Sequence, residues 1–135
     1  GPIGGGTILP GRIVEIDLRQ GAMREFPTGS ANVDLAWANG KLYTANSYDQ
    51  TVTVADPATG STTTLHGFGR FPSALAASPD GARVYVADVE VFVIDTTEDR
   101  VVETFDSSRA AEEVLVTDDL FLINGDGPGT TGGLR

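Results

Sequence analysis

Apolar residues in this chain recur at every second position, in short runs broken by Gly, Pro, Asp and Asn. Period two is the spacing of a strand with one face buried, because successive side chains leave a strand on opposite sides. No stretch shows helical spacing. Three segments carry the same pattern and align with one another: RIVEIDLRQGAMREF from Arg12, TVTVADPATGSTTTL from Thr51 and VFVIDTTEDRVVETF from Val91. Their anchors Asp17, Asp56 and Asp95 lie 39 residues apart, which makes the chain a repeat protein.

Each anchor closes a strand and opens a turn. An Asp carboxylate there can accept the N–H two residues on, and Pro57 pre-sets the backbone angle that the next position wants. Gly21, Gly60 and Asp99 hold the turn exit, where a positive φ is expected. A second strand pair follows each hairpin: ANVDLAW with KLYTAN, SALAA with RVYVAD, EEVLV with LFLIN. Leu35, Leu75 and Val114 correspond on this reading, as do Tyr43, Tyr85 and Phe121. The latter, with Trp37, are expected to pack between repeats. Short strands about ten residues apart, joined by Gly, Pro and Asp turns, predict an all-β, blade-like fold.

Phe71 to Phe105 resembles a YVTN-type β-propeller repeat, the repeat of bacterial and archaeal lactonase-like and surface-protein propellers. The matching residues are Pro72, Ser78-Pro79-Asp80-Gly81, Val84-Tyr85-Val86, Asp88 in place of the usual Asn, and Val93-Ile94-Asp95. The first copy keeps Leu42 to Asn46 and the third keeps Ile123-Asn124. The resemblance covers residues 11 to about 124 and implies blades whose four strands run from a central channel outward. It also implies an extracytoplasmic or secreted location. On that mapping the chain opens with third and outer strands (about 11–27). It continues through two whole blades (about 31–68 and 71–106) and closes with inner and second strands (about 112–124). Residues 1–10 are expected to be a tail or tag remnant, and residues 125–135 a Gly-rich tail.

The fold expected is therefore a partial β-propeller: two whole four-stranded blades plus two complementary half blades, completed by another chain or copy. A half blade leaves unpaired backbone groups along a strand edge and an uncovered apolar face. Joining the two halves within one chain would give a three-blade ring, below the usual range of about four to eight. Two copies would give six. The alternative partner is the remaining piece of a cleaved propeller precursor.

Composition narrows the partners further. A formal net charge of −10, with Lys41 the sole lysine, disfavours nucleic acid and anionic lipid surfaces, which require a basic face. No apolar run is long enough to insert in a membrane as a helix. With no cysteine, thiolate metal sites, disulfides and cysteine nucleophiles are excluded.

Ligands of propellers bind at the channel mouth, on loops that enter the inner strand or link the second strand to the third. Here those loops hold Arg70, Phe71 and Arg109, and Asn46, Tyr48 and their neighbours. Arg70 and Arg109 are repeat-equivalent and could clamp an anion, or else pair with nearby carboxylates. Asp34 and Glu113 are carboxylates inside apolar inner strands and must be bonded there. They are the candidate catalytic groups. With Asn32 and Asn124 they form the candidate oxygen set for Ca²⁺. The lone His66 follows an outer strand and reads as solvated. The sequence thus points to a module binding a small molecule, peptide or protein at its rim. The alternative is one piece of a propeller enzyme of lactonase, lyase or strictosidine-synthase-like type.

Overall fold

The computed structural model describes residues 9–69, 71–88, 90–106 and 113–124. Twelve strands and no helix occur among them. They form two four-stranded antiparallel sheets and two two-stranded ones. The first pair is β1 (Pro10–Ile16) with β2 (Met23–Ser30). The first whole blade runs β3 (Asn32–Ala38), β4 (Lys41–Asn46), β5 (Thr51–Asp56) and β6 (Ser61–His66), each paired to the next. The second runs β7 (Ala74–Ala77), β8 (Arg83–Ala87), β9 (Glu90–Asp95) and β10 (Arg100–Asp106). The last pair is β11 (Glu113–Val116) with β12 (Phe121–Asn124). This is the arrangement the repeat mapping predicts: half blade, blade, blade, half blade.

The turns form for the reasons the residues suggest. Asp17 Oδ1 accepts the N–H of Arg19 at 2.8 Å, Asp56 Oδ1 that of Ala58 at 3.0 Å, and Asp95 Oδ1 that of Thr97 at 2.7 Å. Gly21, Gly60 and Asp99 all have positive φ, of 72°, 79° and 55°. In the Ser78–Gly81 turn, Asp80 accepts both the Ser78 hydroxyl and the Ala82 N–H. Those bonds hold its carboxyl below the ordinary carboxylate range, the backbone bond contributing most.

The inner strands stand side by side, with β7 between β3 and β11. Successive sheets bury their facing surfaces. Tyr43, Val52 and Val54 of the first whole blade meet Leu75, Val84, Val86, Phe92 and Ile94 of the second. Ala74, Ala87, Val91, Tyr85 and Phe105 meet Val114, Phe121 and Ile123. Ile13 and Phe26 cover Ala55 and Leu42. Full burial of one such side chain stabilises by about 1.5–3 kcal/mol, so these three seams hold the sheets together. A polar latch adds to the middle seam. Asp99, on the second whole blade, takes the Lys41 ammonium at 2.7 Å and the Tyr43 hydroxyl on its other oxygen. Burial, then that carboxylate, raises the Tyr43 phenol far above its ordinary value.

Two expectations about facing change. Leu115 pairs with Leu122, as Ala36 pairs with Tyr43 and Ala76 with Tyr85. Leu122, not Phe121, is therefore the counterpart of the two tyrosines, and Phe121 corresponds to Val84. One residue of slip reverses the face. Phe121 accordingly points back at the second whole blade, edge-on to Phe105 at 5.6 Å. Trp37 is exposed rather than packed, because it lies with Val33 and Leu35 on the side of β3 turned away from β7.

Candidate functional site

One end of the sheets gathers the loops that link second to third strands and those that lead into inner strands. Ser47–Gln50 joins β4 to β5, and Gly67–Ser73 joins β6 to β7. Strand direction places them together, and the Phe68 N–H bonds the Gln50 carbonyl across them at 3.3 Å. Phe68 is fully buried edge-on to Phe92, which anchors the second loop to the core. Tyr48 and Phe71 project from these two anchored loops and are exposed.

Two acidic residues of these loops, Asp49 and Asp88, to which the sequence assigned no ligand role, shape this rim. Asp49 Oδ2 accepts the Ser30 N–H at 2.7 Å, tying the turn to the strand junction beside it. A Cβ on Gly29 would lie 2.6 Å from that oxygen and 2.9 Å from Asn46 Nδ2, so any larger residue there would have to push both side chains aside. Asp88 Oδ2 lies 3.4 Å from the Phe71 N–H and would meet a Cβ on Gly69 at 3.0 Å.

Asn46 sits beneath the rim, fully buried. Its Nδ2 donates to Thr51 Oγ1 at 3.1 Å and Thr53 Oγ1 at 2.9 Å. Its Oδ1 has no hydrogen-bond partner among the described residues. A buried acceptor left this way costs about 1–3 kcal/mol. Asn46 is thus a structural floor for the rim rather than a surface contact. Nearby, Thr28, Asp49, Thr51, Thr62, Thr64 and His66 line an open groove of about 470 Å³ between β2 and β6. Arg70 and Arg109 lie outside the described residues.

The four candidate oxygen ligands separate into two pairs. Asn32 Nδ2 donates to the Arg12 carbonyl, and Asp34 accepts the Leu35 N–H at 2.8 Å and the Leu75 N–H at 3.0 Å. Asp34 therefore staples β3 to β7, which accounts for a carboxylate inside an apolar strand. Asn124 Nδ2 donates to Glu113 Oε1 at 3.3 Å on the far side of β7. Among the described residues no three acidic or histidine side chains gather as metal ligands would. Among the described residues the four candidates do not come together as one calcium cage.

Radially stacked four-stranded antiparallel sheets, with inner strands adjacent and loops gathered at one mouth, define a β-propeller. Solved propeller-like structures share the arrangement. Hydrazine synthase of Kuenenia stuttgartiensis matches 76% of this chain and 32% of its own, at 24% identity and a TM-score of 0.68. U3-55K matches 78% and 36%, at 17% identity and a TM-score of 0.69. The WD40 repeats of RRP9 match 78% and 36%, at 18% identity and a TM-score of 0.68. The present chain spans about a third of the length of these chains. No protein family model and no curated protein matches it.

Proposed function

We propose that the chain is part of a binding propeller of YVTN type that takes a small molecule, peptide or protein surface at its rim. The observation that carries this reading is the exposure of Tyr48 and Phe71 on two loops locked in place by Phe68, Asp49 and Asp88. Aromatic side chains on a rigid frame offer large contact area at little entropic cost. The YVTN assignment is supported by the Ser78–Gly81 turn, by Val84-Tyr85-Val86 and by Val93-Ile94-Asp95. Asp34 spends its carboxylate on backbone N–H groups, which favours binding over acid–base chemistry there.

The propeller reading also requires further strands. β1 and β12 each have one hydrogen-bonded neighbour among the described residues. The completing strands come from a second copy or from another piece of the propeller. Rim binding is tested by following backbone amide shifts while adding a peptide library and a panel of small organic anions. Binding is expected to move residues 47–50 and 71–73, and Tyr48→Ala with Phe71→Ala to weaken it at least tenfold. Shifts confined to other surfaces, or affinity unchanged in the double variant, would overturn it.

A further inference from the structure

We propose that the β1–β2 half blade is completed by β11–β12 of a second copy, with β12 of that copy antiparallel to β1. The register places Phe121 opposite Ile16, Leu122 opposite Glu15, Ile123 opposite Val14 and Asn124 opposite Ile13. The inference rests on the propeller reading and not on rim binding.

The register comes from the whole blades. In the second, Val84 faces Ile94, Tyr85 faces Val93, Val86 faces Phe92 and Ala87 faces Val91. In the first, Leu42 faces Ala55 and the series continues to Ala45 facing Val52. The 39-residue spacing equates Ile16 with Ala55 and Ile94, and Val14 with Thr53 and Phe92. The pairing within each blade equates Phe121 with Val84 and Ile123 with Val86.

Burial shows what is missing. Ile94 and Phe92 are 0% and 8% exposed, whereas Ile16 and Val14 are 54% and 43% exposed. Val33, Leu35 and Trp37 are likewise uncovered on β3. Between β1 and β3 lies an open trough of about 390 Å³ lined by Ile13, Val14, Val33 and Leu35. It is where an inner and a second strand belong. β11 and β12 are an inner and a second strand, and they carry exposed Leu115 and Leu122 on the face that would turn toward Val33, Leu35 and Trp37. In the same register Phe121 and Ile123 share a face with Ile16 and Val14, continuing the apolar surface that already packs on the second whole blade. Each copy thereby offers the inner and second strand that the other's β1–β2 half blade lacks.

The chain has no cysteine, so introduced thiols report without background. Facing residues in antiparallel strands sit about 4.5–5.5 Å apart at Cα, within reach of a disulfide. Mild oxidation of mixed Val14→Cys and Ile123→Cys chains is expected to give a covalent dimer of twice 14.1 kDa. Val14→Cys mixed with Leu122→Cys, whose side chain leaves the opposite face, should give at least tenfold less. The unmodified chain should sediment at twice 14.1 kDa, which keeps the test independent of how the variants fold. A monomer in sedimentation overturns the proposal. So does a bond formed within one chain in Val14→Cys/Ile123→Cys, which would show the halves closing on themselves. Either result leaves the amide-shift test of the rim untouched.

Discussion

The second whole blade and the β1–β2 half blade are built from the same repeat, yet equivalent side chains meet different fates. Ile94 is sealed between sheets and Ile16 stands open. Both lie on apolar strands, both precede an Asp that closes the strand, and both pair with an outer strand. What differs is the neighbouring sheet. Burial in a propeller belongs to the position between two blades, not to the residue, so a repeat can be locally complete in its turns and still lack half its stabilising contacts.

The sharpest way to break this comparison is to truncate both members. Ile94→Ala should cost about 2–5 kcal/mol in denaturant unfolding at any protein concentration. Ile16→Ala should cost less than about 0.5 kcal/mol in dilute solution, as an exposed position does. It should cost about 2 kcal/mol or more where the composite blade forms. Equal and concentration-independent costs would remove the distinction.

The tyrosines offer a second contrast. Tyr43→Phe removes a hydroxyl bonded to the Asp99 carboxylate across the middle seam and should cost about 1–2 kcal/mol. Tyr85→Phe, at the equivalent position facing the β11–β12 half blade, should be close to neutral in the same unfolding assay.

A smaller effect should appear in acid. The folded-state values of Asp80 and Asp95 lie below the ordinary 3.8, chiefly through backbone hydrogen bonds from Ala82 and Thr97. A depressed carboxylate contributes stability above its unfolded value, and that contribution is lost as pH falls through the folded one. Thermal midpoints should therefore drop as pH goes below 3.8, and Asp80→Asn or Asp95→Asn should flatten that drop. An unchanged slope in both variants would contradict it. The least effect is expected at the surface. Arg24→Ala gives up an exposed ion pair with Glu15 and a stacking contact on Phe26, worth about 0.5–1 kcal/mol together.

Much of the architecture was legible because its turns are chemical. Asp17, Asp56 and Asp95 had to accept a nearby N–H, and Gly21, Gly60 and Asp99 had to tolerate positive φ. Those demands recur every 39 residues whatever the core does. Where the turn chemistry varies, the alignment slipped. The third copy bends at Thr117–Leu120, with Thr117 Oγ1 accepting the Leu120 N–H at 2.9 Å, and lacks the Ser-Pro-Asp-Gly ruler. Phe121 was therefore matched to the tyrosines one residue out of step. The rim was less legible. Tyr48 and Phe71 could be placed on loops at the mouth, but the locking role of Asp49 and Asp88 depends on how close Gly29 and Gly69 approach them, contacts between segments distant in sequence. Asn46 shows the same limit, since a polar residue in a loop-proximal position turned out to be fully buried.

The central claim is that the open edge of β1 is a blade interior awaiting its second strand. Hydrogen exchange along Ile13–Ile16 reads that edge directly. The account predicts that every amide in this segment exchanges slowly, as those of the doubly paired Val91–Ile94 should, and that protection fades on dilution. Alternate amides exchanging at free-chain rates at high protein concentration would contradict it.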